Sequence, residues 1–123
     1  MKTIHTAKAP EAIGPYSQAI VHGGLLFTSG QIAINPASGQ VEADTIEGQT
    51  EQVMKNLAAL LEEAGASFDS VIKTTCFLSD MADFAAFNAI YGAYFVSKPA
   101  RSCVAAKQLP KNVLVEVDLI AAV

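Results

Sequence analysis

Between Thr45 and Ala64 the apolar residues Ile46, Val53, Met54, Leu57, Leu60, Leu61 and Ala64 recur three and four positions apart. That period predicts a helix with one buried face, and Gly65 follows as its stop. A second helix is predicted over "DFAAFNAIYGAYF", where aromatics fall at 84, 87, 91 and 94 or 95. Elsewhere the runs are short and rich in β-branched residues. In "GPYSQAIVHGGLLFTSGQIAI" two apolar runs, Tyr16 to Val21 and Leu25 to Ile34, flank His22-Gly23-Gly24, a strong hairpin signal. With the two glycines as the loop, His22 faces Leu25. Counting outward sets Tyr16 opposite Gln31 and Ser17 opposite Gly30, which brings Tyr16 beside the Thr28-Ser29-Gly30 stretch. "NPASGQV" supplies a turn that leads to a short edge strand. "SVIKTTCFLSD", "RSCVAAKQ" and "VLVEVDLIAAV" read as three more strands.

The predicted order is strand, strand, short strand, helix, strand, helix, strand, strand. Ser70 to Ala106, with its intervening helix, is expected to join two parallel strands by a right-handed crossover. The last two strands, by the local rule alone, would pair as a hairpin. The fold class is α+β, with two helices on one face of a mixed sheet and the other face bare. A chain of 123 residues with 51% hydrophobic content is long enough for one buried core and too short for two, so 1–123 is expected to be a single domain. Only 16% of its residues are charged, and an apolar sheet face without cover predicts a symmetric oligomer.

Charge narrows the class of partner. A net charge of −4 and a pI near 5.0 repel a phosphate backbone unless the cations are gathered, and no run of Lys or Arg gathers them; nucleic acid is not expected as a partner. No apolar run reaches the ~18 residues of a membrane span and no signal-peptide pattern opens the chain. The expectation is a soluble cytoplasmic protein, an organellar matrix being compatible. The two cysteines, Cys76 and Cys103, lack C-x-x-C spacing, which argues against zinc and against a disulfide framework.

Several residues could carry chemistry. Arg101 is the only arginine beside seven lysines, and it sits in "KPARSCVAA". It is either an ion-pair partner for a carboxylate of the same chain or a two-pronged clamp for a substrate carboxylate, the geometry that a planar guanidinium favours. Glu116, inside "VLVEVDLIAA", shares a strand face with Leu114 and Asp118. That face is either solvated or covered by a neighbouring subunit; covered, the carboxyl rises in pKa and becomes a general base or water holder. Cys103 lies on the same strand face as Arg101 and reads as a small buried hydrophobe, with no base beside it, since His5 and His22 lie in distant segments. Tyr16, Ser29 and Gly30 form a third group, and a glycine in a β-forming run marks close approach to the backbone. Asn88 is the odd polar residue on the stripe of the second helix.

"IGPYSQAI", "LLFTSGQIAINPASGQV", "VIKTTCFLSDMADFAAFNAIYGAYF" and above all "PARSCVAAKQLPKNVLVEVDLIA" resemble the RidA (YjgF) family of imine deaminases, long also labelled endoribonuclease L-PSP or translation inhibitor. The resemblance spans almost the whole chain. It implies a chorismate-mutase-like fold with a six-stranded sheet, in which another strand separates the last two, and a homotrimer with clefts between subunits. It further implies that Arg101 holds the carboxylate of a 2-imino acid, Cys103 lines the pocket and Glu116 positions the attacking water. Tyr16, Ser29, Gly30 and Asn88 shape the remaining wall. The expected reaction converts 2-aminoacrylate, 2-iminopropanoate or 2-iminobutanoate to a 2-keto acid and ammonia, without metal or organic cofactor. A ribonuclease and a non-catalytic binder of small carboxylates are the rival readings. The segment Val96 to Lys98 before Pro99 is shorter than in many relatives, which alters the rim of the cleft.

Overall fold

The computed structural model describes all residues, Met1–Val123. The first predicted helix forms as α1, Ile46–Glu63. Its N-cap Thr45 accepts a hydrogen bond from the amide of Gly48, which satisfies one otherwise orphaned donor of the first turn. At the other end Gly65 takes a positive φ of 76°, a conformation open to glycine at no steric cost. Val53, Met54, Leu57 and Leu60 are fully buried; each such side chain contributes roughly 1.5–3 kcal/mol by leaving water, and truncating Leu57 to alanine would cost about 2–5 kcal/mol. The second helix, α2, runs Phe84–Tyr94 and packs against α1.

The strands are β1 (Lys2–Ile4), β2 (Ala19–His22), β3 (Leu25–Thr28), β4 (Ile34–Asn35), β5 (Gln40–Val41), β6 (Val71–Leu78), β7 (Ala100–Ala105) and β8 (Val115–Ala122). Six of them make one mixed sheet in the order β1-β2-β3-β8-β6-β7. β6 and β7 are parallel, as a helical crossover between them requires. β6 also lies between β7 and β8, so the last two strands do not form a hairpin. Each finds a longer ladder on β6, seven register pairs for β8 and six for β7.

Three expectations about the first half of the chain need correction. His22 does face Leu25, but the β2–β3 ladder ends at Ala19↔Thr28, short of Tyr16 and Gln31. Gln31 instead exchanges both backbone hydrogen bonds with Val117 of β8, at 2.8 and 3.1 Å. The run Leu25 to Ile34 is therefore broken at Ser29-Gly30, and the short strand pairs only with Ile34-Asn35 in a separate two-stranded ribbon rather than at an edge of the main sheet. Asn56 of α1 explains the departure: buried, it donates to the carbonyls of Ile32 (3.0 Å) and Ile34 (2.9 Å), groups that would otherwise be buried unpaired as the chain leaves the sheet. β1, which pairs with β2, was not expected, three residues being too few for a periodic signal.

Register assigns every strand residue to a face. Val115, Val117, Leu119 and Ala121 of β8 are buried toward the helices, and Glu116, Asp118 and Ile120 alternate onto the other side. On that uncovered face Phe27 is 40% and Val104 50% exposed.

Candidate functional site

In the parallel register Arg101 stands beside Thr74 and Cys103 beside Cys76, so all four share one face. It is the helix side, because Thr74 is hydrogen-bonded to the hydroxyl of Tyr91 in α2 at 2.7 Å. There the guanidinium of Arg101 donates from Nη1 to Oδ1 of Asn88 (2.6 Å). Its central carbon lies 4.8 Å from the centre of the Tyr91 ring and 5.4 Å from that of Phe84, contacts worth about 0.5–2 kcal/mol. Phe84, Asn88 and Tyr91 are four and three residues apart, hence on one face of α2. No carboxylate lies within 4.0 Å of Arg101, the chain's two ion pairs being His5–Glu11 and Lys8–Glu62. The same-chain ion pair left open by the sequence does not form. A cavity of about 480 Å³ opens over the guanidinium, bounded by Asn88, Tyr91 and the segment Phe95 to Pro99.

Cys103 is half-buried next to this cavity and does not line it. Burial pushes its thiol pKa up, against a smaller downward pull from Arg101. Burial also drives Cys76 up, to about 12. Both thiols stay protonated near neutrality, which speaks against either as a nucleophile.

Glu116 occupies the opposite face, paired with Phe77. It lines a cavity of about 240 Å³ with Tyr16, Gly30, Gln31, Ile13 and Lys111. Its carboxylate lies so close over Gly30 that a β-carbon at that position would overlap Oε2; this close approach is the reason for glycine in the run. Burial raises the Glu116 pKa, and Asp118 two residues on raises it further. Tyr16 is half-exposed and its hydroxyl accepts from the amide of Ile13 at 3.4 Å. Ser29 does not face the cavity: its hydroxyl donates to the carbonyl of Ser17 at 2.6 Å and ties β3 to the preceding loop.

The candidates thus gather in two clusters, Arg101 with Asn88 and Glu116 with Tyr16 and Gly30, on opposite faces of one sheet. Sequence reasoning missed the residues that build each. Phe84 and Tyr91 enter the sequence reading only as part of the aromatic period that predicts the second helix, although their spacing around Asn88 is visible there. Gln18 is 2% exposed and clasps the loop that walls the Glu116 cavity. Its amide accepts from the Thr6 amide (2.8 Å) and donates to the carbonyls of Thr6 (3.0 Å), Ala9 (3.3 Å) and Pro10 (2.8 Å). No local pattern marks such a residue.

A mixed six-stranded sheet with two helices on one face, holding an unpaired guanidinium and a half-buried carboxylate, defines a protein of the YjgF fold. Residues 6–123 match the family described as Endoribonuclease L-PSP, and the chain belongs to this family, to which the YjgF and RutC proteins also belong. It is 54% identical over 124 residues to a RutC family protein of Synechocystis, covering 98% of this chain and 95% of that one. It is 46% identical to the 2-iminobutanoate/2-iminopropanoate deaminase of Escherichia coli K12, covering 98% and 96%. The crystal structure of the YjgF gene product from E. coli superposes with a TM-score of 0.94 at 44% identity, over 99% of this chain and 98% of that one.

Proposed function

We propose that the protein hydrolyses 2-imino acids, and the enamines that tautomerise to them, to 2-keto acids and ammonia, at a site formed between neighbouring copies in a homotrimer. One observation carries this reading: a single guanidinium, braced by neutral groups and without a carboxylate partner. Such a group is poised for a carboxylate supplied from outside, where each charge-assisted bond is worth about 1.5–3 kcal/mol. The raised carboxyl of Glu116 is the complementary part. Because it lies on the other face of the sheet, a substrate gripped by Arg101 of one copy meets Glu116 of the next.

The chemistry asks little of the protein, since a protonated imine is already electrophilic. Glu116 takes a proton from water as the water oxygen bonds to the imine carbon, giving a carbinolamine. Glu116 then gives that proton to the nitrogen, the C–N bond breaks and ammonia leaves, while the freed carboxylate takes the hydroxyl proton of the carbinolamine as the carbonyl forms and afterwards releases it to ammonia or solvent. Positioning supplies much of the acceleration and the general base a further ~10²–10⁴-fold. The relative named as a 2-iminobutanoate/2-iminopropanoate deaminase supports the choice of substrate. The family description as an endoribonuclease supports a second reading, against which stand the net charge of −4 and the 62% exposed His5 with its only close partner Glu11.

The deciding experiment generates imines in place with an amino-acid oxidase and follows 2-keto acid release. Added protein is expected to accelerate release well above the buffer rate. An unchanged rate, or salt-sensitive RNA cleavage by the pure protein instead, would overturn the assignment.

A further inference from the structure

Arg101 owes its position to a pair of residues, Thr74, which is fully buried away from the cavity, and Tyr91, whose ring forms part of the cavity wall. Tyr91 is 7% exposed, and its ring is stacked on Phe95 with centroids 4.3 Å apart. The hydroxyl of this buried ring has one partner, the side chain of Thr74, which is fully buried on β6. Thr74 in turn stands directly beside Arg101 in the parallel ladder. The three residues close a triangle: strand pairing fixes Thr74 relative to Arg101, the hydroxyl bond fixes Tyr91 relative to Thr74, and the ring lies 4.8 Å from the guanidinium carbon. Asn88 restrains the guanidinium at Nη1 alone. One hydrogen bond leaves a guanidinium free to swing about that bond; a ring face of fixed orientation removes the swing.

We propose that Thr74 and Tyr91 are positioning residues, whose buried hydroxyl–hydroxyl bond locks the ring on which Arg101 rests and so presets the plane in which the guanidinium receives a carboxylate. A planar two-pronged contact depends on orientation as well as charge, so loosening the ring weakens carboxylate binding without touching the reacting atoms. This role deepens the deaminase reading and rests on it for the identity of the ligand, but the orientation of Arg101 is measurable without substrate.

The test uses the double variant Thr74→Val/Tyr91→Phe, with Thr74→Ser as the conservative control. Removing both hydroxyls leaves neither orphaned, so the double variant is expected to keep a Tm near that of wild type even if Thr74→Val alone does not fold. As the chain has one arginine, its side-chain Nε–H signal is assigned by inspection in an isotope-labelled sample. Against the ring that signal is expected to be displaced and to show slow guanidinium rotation; in the double variant it moves toward the free-arginine position and rotation quickens. The Kd for pyruvate and the KM for iminopropanoate are expected to rise about threefold to tenfold, with kcat changed less than about twofold, and Thr74→Ser to behave as wild type. An unchanged arginine signal with unchanged pyruvate affinity in the folded double variant would overturn the proposal, as would a Thr74→Ser defect equal to that of the double variant. If the wild type binds no 2-keto acid while the arginine signal still responds, the deaminase reading fails and the positioning role stands.

Discussion

The arginine cluster and the glutamate cluster are built in contrasting ways. Arg101 is held by regular elements, one strand and one helix, through aromatic faces and a neutral amide; its charge is left whole. Glu116 projects from a strand into a cavity whose walls are loops around Pro10 to Gln18, Gly30 to Ile34 and Pro110-Lys111; its charge is opposed by burial and by Asp118. The sheet between them keeps the two groups from neutralising one another within a chain. A binding cation gains from a rigid setting that leaves it ionised, whereas a base gains from a setting that makes it reluctant to ionise, so that it accepts a proton near working pH.

The most forceful way to break this division is to remove one charge at a time. Glu116→Gln is expected to lower kcat by about 10²–10⁴-fold while pyruvate still binds, whereas Arg101→Ala removes binding as well. Refolded together in equal amounts, the two inactive variants are expected to recover about a quarter of wild-type activity, the share of sites that draw an intact group from each of two copies. No recovery would place both groups of a site in one chain.

Arg101→Lys keeps the charge and loses the planar fork. A fall in kcat/KM of about tenfold to a hundredfold is expected, with near-normal turnover of an imine that lacks the carboxylate. Gly30→Ala acts on the glutamate cluster alone, because its β-carbon must displace the Glu116 carboxylate. About a tenfold loss in kcat, with pyruvate affinity unchanged, is the expected result.

The pH profile sharpens the contrast further. As the proposed general base Glu116 would work ionised, and its pKa lies above the ordinary 4.5, so the acid limb of kcat/KM should fall at a pH above that value. Asp118→Asn removes one of the two causes and should move the limb downward. Stability runs the other way. A carboxyl with a raised folded-state pKa binds its proton more tightly folded than unfolded, so its contribution is complete below the ordinary value and is lost as pH rises through the raised one. Urea midpoints measured across that window should decline with pH, and less so in Asp118→Asn, where Asp118, itself raised by burial, no longer titrates. Least affected should be Cys103→Ala, whose kcat is expected to stay within about threefold of wild type, since the thiol is protonated and outside the cavity.

The same contrast explains what could be read before the structure. α1, α2 and the central strands are legible because their periods extend over many residues, and Arg101 was conspicuous through its neighbours in "PARSC". The glutamate cluster was legible only as separate parts. Gly30 signalled a close approach without naming Glu116, and the hairpin count that brought Tyr16 near it reached the right neighbourhood by a ladder that ends three residues early. The break came from Asn56, twenty-four positions away from Ile32 in the chain, and a bond of that span leaves no local pattern. The aromatic stripe of α2 predicts a helix by its period, and its second use as the bed of a cation follows only from knowing which strand lies beneath it.

Placing the two charges on opposite faces also fixes a stoichiometry. If each working site takes its cation from one chain and its carboxylate from another, any closed ring of copies contains as many complete sites as chains, whatever its number. An open string leaves one orphaned half at either end. A calorimetric titration with a ligand whose tight binding requires both Arg101 and Glu116, saturating at one molecule per chain, would therefore show closure, and a fractional value below one would count the unfinished ends.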